Sequence, residues 1–436
     1  MKLMKGFLLG SIASVAAIVQ AQAADLPMTK SAPVDYVRVC SVHGAGFFYI
    51  PGSDTCLRVG GRLRADYVYA EPLWTTPGDG RQKDATGFRA RARLIIDSRT
   101  ATEFGTVRAF FRLDVTRDTG YFNNGFASGS TTKTNLDKAF IQFAGITAGV
   151  AQSMFDFFAE DWNYGSAPNV LPGSDAGQTQ MLAYTATFGS GFSATLSLED
   201  RNQRNIGATA IFDGSGNVLA GYNPAGERMP DVVGNVRVDQ SWGSAQLSGA
   251  IHQMNSWELD PFGGRIDDEY GYAVQAGVHV FLPQLAAGDN LWLEAAYAQG
   301  ALNYLGVTGD VSVGSYADLI ATDGVIVGDS IKRTTGWNLL AAFTHYWTPS
   351  IRSGVWGSYT DVNYPGTVTA PSYSILRDFK VYQLAGQLVW SPTKAFDIGV
   401  EVLYTKTDAS HNGNPSLVVK NSQDQWQTRL RFQRDF

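Results

Sequence analysis

Long apolar runs are missing from most of this 436-residue sequence. After residue 25, no stretch approaches the ~20 consecutive apolar residues that a membrane-spanning helix requires. Helical periodicity is also scarce, whereas glycine and aromatic residues are plentiful: there are 47 Gly, and 12% of the residues are Phe, Trp or Tyr. A helical membrane protein is therefore excluded, and the balance favours an all-β protein.

The common catalytic motifs are also missing. The sequence has no G-x-S-x-G, no H-E-x-x-H and no glycine-rich nucleotide loop, and its few histidines (His43, His252, His279, His345 and His411) are scattered. The segment 213–217, DGSGN, lacks the spaced carboxylates of a calcium loop, although divalent ions between acidic loops remain possible. We therefore expect no enzyme, no cofactor and no built metal site.

Cysteine is nearly absent, with only Cys40 and Cys56 in the chain. The N-terminus explains why they can pair: Lys2 and Lys5 precede an apolar stretch and a small-residue cleavage site at 21–23, so residues 1–23 are predicted to be a secretory signal peptide. An exported chain meets oxidising conditions. A disulfide between the two cysteines is predicted, worth roughly 3 kcal/mol in the chain-entropy model.

What the sequence does have is strand-like runs of a length that crosses a bilayer when tilted. Short and long connections alternate between them, which is typical of a transmembrane antiparallel β-barrel in an asymmetric membrane and not of a soluble sandwich. About sixteen strands are predicted, with boundaries least certain around 282–332: 57–69, 87–97, 104–114, 134–144, 146–151, 179–188, 192–200, 230–240, 242–253, 268–281, 290–299, 333–346, 351–361, 376–390, 396–407 and 424–436.

Arginine alternates with apolar residues in several of these runs, most clearly in FRARARLII, residues 88–96. Successive side chains of a strand point to opposite faces, and arginines facing lipid would cost ~2 to 4 kcal/mol each near the midplane. We therefore expect one basic wall facing a wet lumen, formed by the last strand and the first four. Its predicted residues are Arg58, Arg62, Arg64, Arg89, Arg91, Arg93, Arg108, Arg112, Lys138, Arg429 and Arg431.

The third long connection, 152–178, is predicted to fold into the pore as a constriction loop. Ser153 and Asp156 form a capping pattern, so a short helix is expected to follow, with Phe155, Phe158 and Trp162 on one face. That face would pack on the barrel wall. The carboxylates predicted to look into the pore are Asp156, Glu160 and Asp161. An ordinary extracellular loop with solvated acids is the alternative.

The residues carry a family resemblance along the whole chain. The segment 34–69, with both cysteines, GAGFFYIPG between them and TCLRV after them, resembles the start of the general porins of Alphaproteobacteria. The segments 228–250 and 426–436 are similar as well. Longer fifth and sixth connections depart from the family's pattern.

The resemblance implies a sixteen-stranded trimeric barrel in the outer membrane of a Gram-negative cell, reached through the periplasm, that passes small hydrophilic solutes and ions by passive diffusion. Residues 24–436 would form it, 24–56 being the disulfide-containing segment. Expected partners are outer-membrane lipid, lipopolysaccharide and the barrel-assembly machinery, which would recognise the terminal Phe436; the net acidic chain argues against nucleic acid. Alternatives are a solute-specific channel, a barrel enzyme or an adhesion barrel with a plugged lumen.

Overall fold

Sixteen antiparallel strands form a closed barrel in the computed structural model. The model describes residues 38–71, 84–123, 129–158, 173–174, 178–207, 211–212, 218–219, 222–257, 264–309, 311, 319–327, 329–366, 376–410 and 422–436. The barrel strands are β1 Thr55–Ala70, β2 Thr86–Thr102, β3 Gly105–Thr119, β4 Ser130–Phe143, β5 Ile146–Gln152, β6 Gln178–Gly189, β7 Phe192–Glu199, β8 Asp231–Gln240, β9 Gly243–Met254, β10 Glu269–Phe281, β11 Asn290–Gln299, β12 Thr335–Thr348, β13 Ile351–Asn363, β14 Phe379–Thr393, β15 Phe396–Ala409 and β16 Ser422–Asp435.

Each strand pairs with its neighbours in the chain, and β16 closes the barrel by pairing with β1. The predicted fold class is confirmed, and every predicted strand is present. Several strands run further than predicted at the end that carries the long connections; β3, for example, continues to Thr119. Backbone pairing extends there beyond the apolar stretch that the sequence pattern detects, because ladder hydrogen bonds do not depend on lipid.

The region around 282–332 keeps the predicted strand count. The connection after β10 is short and contains the turn 282–289. In the connection after β11, Gly324–Val327 pairs with Ser330–Arg333 as a two-stranded hairpin that is separate from the barrel sheet. The apolar run at 324–328 therefore adds no strand to the barrel sheet.

The two faces of each barrel strand differ in chemistry. In β1, Leu63, Tyr67 and Tyr69 are 55%, 38% and 47% exposed, whereas Arg64 and Asp66 between them are 6% and 3% exposed. The exposed apolar face is the one that contacts hydrocarbon in a membrane barrel. Among the described residues, no helix has the length and hydrophobicity needed to cross a bilayer.

Two features position the segments inside and below the barrel. β5 has only 7 residues while its neighbour β4 has 14, so the chain leaves the sheet early and the following connection starts at the inner face. At the end with short turns, Cys40 and Cys56 form the predicted disulfide, with Cα atoms 6.0 Å apart. It fixes residues 41–55 against the beginning of β1, where Phe48 and Tyr49 pair with that strand.

Candidate functional site

The basic residues singled out in the sequence share the inner face of β16 and β1–β4. In the strand register, Arg62 of β1 lies opposite Arg93 of β2, and Arg64 lies opposite Arg91. The remaining members fall on the same face by alternation: Arg58, Arg89, Arg108, Arg112, Lys138, Arg429 and Arg431. The register thus gathers these bases from five strands onto one surface.

This surface is not purely cationic, because acids alternate with the bases. Asp66, Asp97, Asp114 and Asp118 stand in the same alternation as the arginines of their own strands. Sequence reasoning missed them although the period-two rule that selected the arginines selects them too. We call the inner face of β16 and β1–β4 the Arg–Asp wall; its acids are Asp66, Asp97, Asp114, Asp118, Asp137 and Asp435, and it also contains Arg99.

Paired hydrogen bonds hold the centre of the wall. Arg89 donates two hydrogen bonds to Asp118, of 2.6 and 3.0 Å, and Arg93 donates two to Asp114, of 2.7 and 2.8 Å. Arg91 donates to the Thr116 hydroxyl at 3.0 Å. Planar guanidinium groups match carboxylates in this two-bond geometry, which fixes the long side chains against the strands.

A bulge in β4 supplies a further acid. The register shifts between Arg112 and Leu113, so that Asp137 falls outside the regular pairing and accepts a hydrogen bond from Arg112. Asp137 also lies 3.8 Å from Arg93. A bulge re-aims the extra side chain, and here it places a carboxylate beside Lys138 on the same face.

At the end with short turns, the Asp97 carboxylate interacts with three arginines. It accepts hydrogen bonds from Arg99 and Arg108, at 2.9 Å for the nearest oxygen of each pair, and its carboxylate is 3.9 Å from Arg58. Phe47 of the disulfide-bonded segment lies under the guanidinium groups of Arg58 and Arg99, with ring-centre distances of 5.2 and 4.9 Å. The N-terminal segment thus packs directly on the lower rim of the wall.

Part of the wall is inward-facing but covered. Arg431 is 2% exposed and donates to Asp66 at 2.6 Å, and Arg429 is 4% exposed. The ring of Phe122, beyond the end of β3, lies 5.1 Å from the Arg429 guanidinium. Arg429, Arg431 and also Arg64, which is 6% exposed, thus lie on the predicted inner face, but neighbouring side chains cover most of their surface.

The described start of the third long connection, residues 153–158, packs on the opposite inner wall. Phe155 and Phe158 are buried, as is Phe157, whose ring lies over Gly277 so closely that a Cβ there would come within 2.3 Å of it. Phe157 and Phe158 contact the indole of Trp292 on β11. The predicted wall contact is thus seen for Phe155 and Phe158, and residues 153–158 lie inside the barrel; Trp162 lies outside the described residues.

Two expectations for this loop are corrected. Residues 153–158 form turns and a bend instead of beginning a helix. The Asp156 side chain is fully buried and 2.7 Å from the guanidinium of Arg204, so it does not look into the pore. Burial works to lower the pKa of Arg204, but the adjacent Asp156 carboxylate holds that pKa above its usual value. The predicted partners Glu160 and Asp161 lie outside the described residues.

The sheet order determines where the surface that receives residues 153–158 lies relative to the Arg–Asp wall. In a closed barrel of sixteen strands, strands eight positions apart face each other across the lumen. β2 and β3 therefore face β10 and β11, which carry Gly277 and Trp292. Phe157 and Phe158, which pack on Gly277 and Trp292, therefore lie on the side of the barrel opposite the Arg–Asp wall.

Within the described part of the chain, no group of three or more His, Cys, Asp or Glu side chains is arranged to hold a metal ion. A closed barrel with an apolar outside, a charged inner wall and an inward-folded loop has the architecture of a diffusion channel. This is the class of protein that the fold and the wall define.

Comparison with known proteins gives the family. Residues 25–430 match the model of the porin subfamily. The chain is 30% identical to porin Omp2b of Brucella neotomae, over 85% of this chain and 91% of that protein, and 28% identical to porin Omp2b of Brucella suis, over 99% of both. The chain belongs to the porin subfamily.

Solved structures show the same fold at low sequence identity. The outer-membrane channel DcaP of Acinetobacter baumannii superposes with a TM-score of 0.64 at 18% identity, covering 89% of this chain and 99% of that one. An anion-selective porin from Comamonas acidovorans gives a TM-score of 0.51 at 13% identity, covering 88% of this chain and 100% of that one. The protein is an outer-membrane porin, a channel for passive diffusion and not an enzyme.

Proposed function

We propose that solutes pass along the Arg–Asp wall and that this wall gives the pore a modest preference for anions. The carrying observation is the composition of the inner face of β16 and β1–β4, where bases outnumber acids. Asp156, an acid expected to balance them from across the lumen, is engaged with Arg204 instead. An excess of fixed positive charge beside a narrow path raises the local concentration of anions.

The test is the reversal potential of single channels under a salt gradient. Replacing Arg89, Arg91 and Arg93 together by glutamine removes three charges from the centre of the wall while keeping a polar side chain at each position. We expect the reversal potential to move toward the value of a cation-preferring pore. A reversal potential unchanged from that of the wild type would contradict the assignment of these residues to the conduction path.

Arg117→Gln is the matched control. Arg117 belongs to β3 but lies opposite Ala90 in the register, on the outer face of the barrel, where it donates to the Ser130 hydroxyl. Its replacement changes the net charge of the same region without changing the wall. We expect no shift in reversal potential. A shift as large as that of the triple variant would show that the reversal potential depends on total charge and not on the position of the charge.

The assembled form is proposed to be a homotrimer, which membership of the porin subfamily supports. Export through the periplasm after removal of residues 1–23 also fits the family and the N-terminal sequence. The mature chain is proposed to contact outer-membrane lipid, including lipopolysaccharide, through its exposed apolar face.

Phe436 is proposed to be the residue that the barrel-assembly machinery recognises. Its backbone N–H donates to the Gly61 carbonyl oxygen at 3.0 Å, and its side chain is 70% exposed. Gly61 leaves room for the ring, since a Cβ there would lie 2.6 Å from it. A terminal aromatic ring held on the outside of the closing seam is accessible to a protein that binds the strand end.

A further inference from the structure

The connection between β11 and β12 has the burial of a core and not that of a surface loop. We call its described residues, 301–309, 311, 319–327 and 329–334, the inner loop. Its 3₁₀ helix Leu302–Leu305 is buried over its whole length, and Val307, Ala321 and Val325 have no exposed surface. Loops normally run over the surface with solvated backbone, so this degree of burial requires an explanation.

The inner face of β8–β11 supplies the surface that receives the inner loop. One row of inward positions near the end with long connections is small and apolar: Val233, Ala250, Ala273 and Ala298, which lie side by side in the register. They form one buried cluster with residues of the inner loop. The inward Asp231 and His252 beyond this row lie 2.9 Å from each other. Small apolar side chains lining a water-filled pore would gain little from hydration, but they leave room for another segment to pack inside the barrel.

Asp323 ties this loop to a second connection. Its carboxylate accepts hydrogen bonds from the backbone N–H of Leu302, at 2.7 Å, and of Ile206, at 2.6 Å, in the connection after β7. Its own backbone N–H donates to the Ile206 carbonyl oxygen at 3.0 Å. A buried carboxylate that satisfies backbone donors from two segments holds them in a single arrangement.

Tyr304 ties the loop to the barrel wall. Its hydroxyl donates to Asp231 of β8 at 2.7 Å, and its ring packs edge-on against Phe155 at 4.7 Å. The Arg204 guanidinium lies over the same ring at 4.7 Å. The inner loop therefore contacts the beginning of the constriction loop as well as the strands behind it.

We propose that the inner loop, held by Asp323, is a second constriction element that fills the side of the lumen opposite the Arg–Asp wall and confines the permeation path to that wall. Around the barrel, β8, β9, β10 and β11 lie eight positions from β16, β1, β2 and β3, respectively, and hence across the lumen from them. This inference rests on the proposed function of the wall. It deepens that function by assigning the width of the path to a segment other than the third connection.

Single-channel conductance tests the proposal. Asp323→Asn keeps the size of the side chain but replaces one acceptor oxygen by a donor that opposes a backbone N–H. We expect the tie to fail and the conductance to rise roughly twofold, since conductance follows the open cross-section. Tyr304→Phe, which removes only the hydroxyl that binds Asp231, is expected to give a smaller rise and replaces the first variant if that one does not fold.

Asp289→Asn is the matched control. Asp289 accepts a backbone N–H, that of Tyr346 at 2.8 Å, and lies 2.6 Å from a histidine nitrogen, that of His345, but it belongs to the turn at the opposite end of the barrel. The conductance of the Asp289→Asn variant should equal that of the wild type. The reversal potential of the Arg89, Arg91 and Arg93 variant is measured separately, so a failure of the wall and a failure of the inner loop give different results.

Thiol labelling reports the position of the loop independently of conductance. Both native cysteines are in the disulfide, so Val325→Cys introduces a single free thiol at a fully buried position. A water-soluble maleimide should leave this thiol unmodified in the folded barrel and modify it when Asp323→Asn is added. Heat-shifted migration on gels verifies that each barrel is folded.

Three results would overturn the proposal. Labelling of Val325→Cys alone would show that the loop does not lie inside the barrel. An unlabelled thiol with wild-type conductance in the Asp323→Asn background would show that Asp323 is not the tie. A labelled thiol with wild-type conductance would show that the released loop had not been narrowing the path.

Discussion

The two opposite sides of the barrel's inner face differ in the chemistry of their inward side chains and in what packs on them. On β16 and β1–β4, long arginines and short aspartates on the inner face pair with each other, and several of these pairs are buried beneath neighbouring side chains. On β8–β11, a row of inward alanine and valine side chains near the end with long connections is covered by a loop. A charged inner face can line water by itself, whereas a small apolar inner face indicates that another segment of the chain packs there.

The largest difference should appear when a carboxylate is removed from the charged side. In Asp66→Ala, the Arg431 guanidinium remains buried without the carboxylate that accepts its 2.6 Å hydrogen bond. Breaking one half of a buried pair costs ~3 to 5 kcal/mol. We expect a corresponding fall in the free energy of unfolding, measured by urea titration in detergent micelles.

Asp239→Ala serves as the reference for that measurement. Asp239 pairs with Arg237 at 2.8 Å, but both side chains are more than one-third exposed, at 54% and 36%. Solvent screening limits such a pair to ~1 kcal/mol or less. Equal losses for the two variants would contradict the view that burial sets the strength of pairing in the wall.

A cavity made in the inner loop tests how strongly that loop is coupled to the barrel sheet. Leu302→Ala removes a fully buried side chain of the inner loop, which typically costs about 3 kcal/mol. Because the barrel ladder does not include this residue, we expect local opening: faster amide exchange at residues 301–309 with little change in exchange at β2 and β3. Leu293→Ala, at an outward position that is 42% exposed, is the control. Uniformly faster exchange throughout the barrel would argue that the loop and the sheet are one cooperative unit.

The smallest expected effect is the pH dependence of the stability that Asp323 of the inner loop contributes. Burial raises the pKa of Asp323 from 3.8 to about 6, while the facing His252 acts to lower it; Asp231, Tyr222 and Tyr364 also interact with this carboxyl group. A raised folded-state pKa means that the folded protein binds the proton more tightly, so this group's contribution becomes more favourable as pH falls from above 6 toward 3.8.

Relative to Asp323→Asn, which does not titrate, the wild type should therefore gain stability on acidification. The expected gain is about 1 kcal/mol between about pH 7 and pH 5. Urea titrations of both proteins at the two pH values measure it. A difference between wild type and variant that is independent of pH, or that favours the variant in acid, would show that the carboxyl is already neutral or is not buried in solution.

Particular residues show how far the sequence could be interpreted. The alternation in FRARARLII placed Arg89, Arg91 and Arg93 on one face, because a two-residue period is a property of any extended chain. The same period contains Asp114 and Asp118, which were missed when arginines alone were followed. Asp137 could not have been found in this way, because the bulge that turns it inward breaks the period.

The third connection shows which contacts a local sequence pattern can predict and which it cannot. Phe155 and Phe158 were correctly expected to pack on the barrel wall: Phe155 is buried among inward residues of β8–β11, and Phe158 packs on Trp292. The fate of Asp156 depended on Arg204, which is 48 residues away in the chain. Nothing local to Asp156 distinguishes a carboxylate that faces a pore from one that pairs with a distant guanidinium.

By itself, the sequence determined the number of strands, which of their faces meets lipid, and the disulfide at the N-terminus, because strand period, side-chain hydrophobicity and the cysteine count are local properties. Only the tertiary structure decided which charges pair and which connections fold inward. Those outcomes depend on contacts between residues far apart in the chain, which exist only once the sheet has closed and brought β8–β11 across from the Arg–Asp wall.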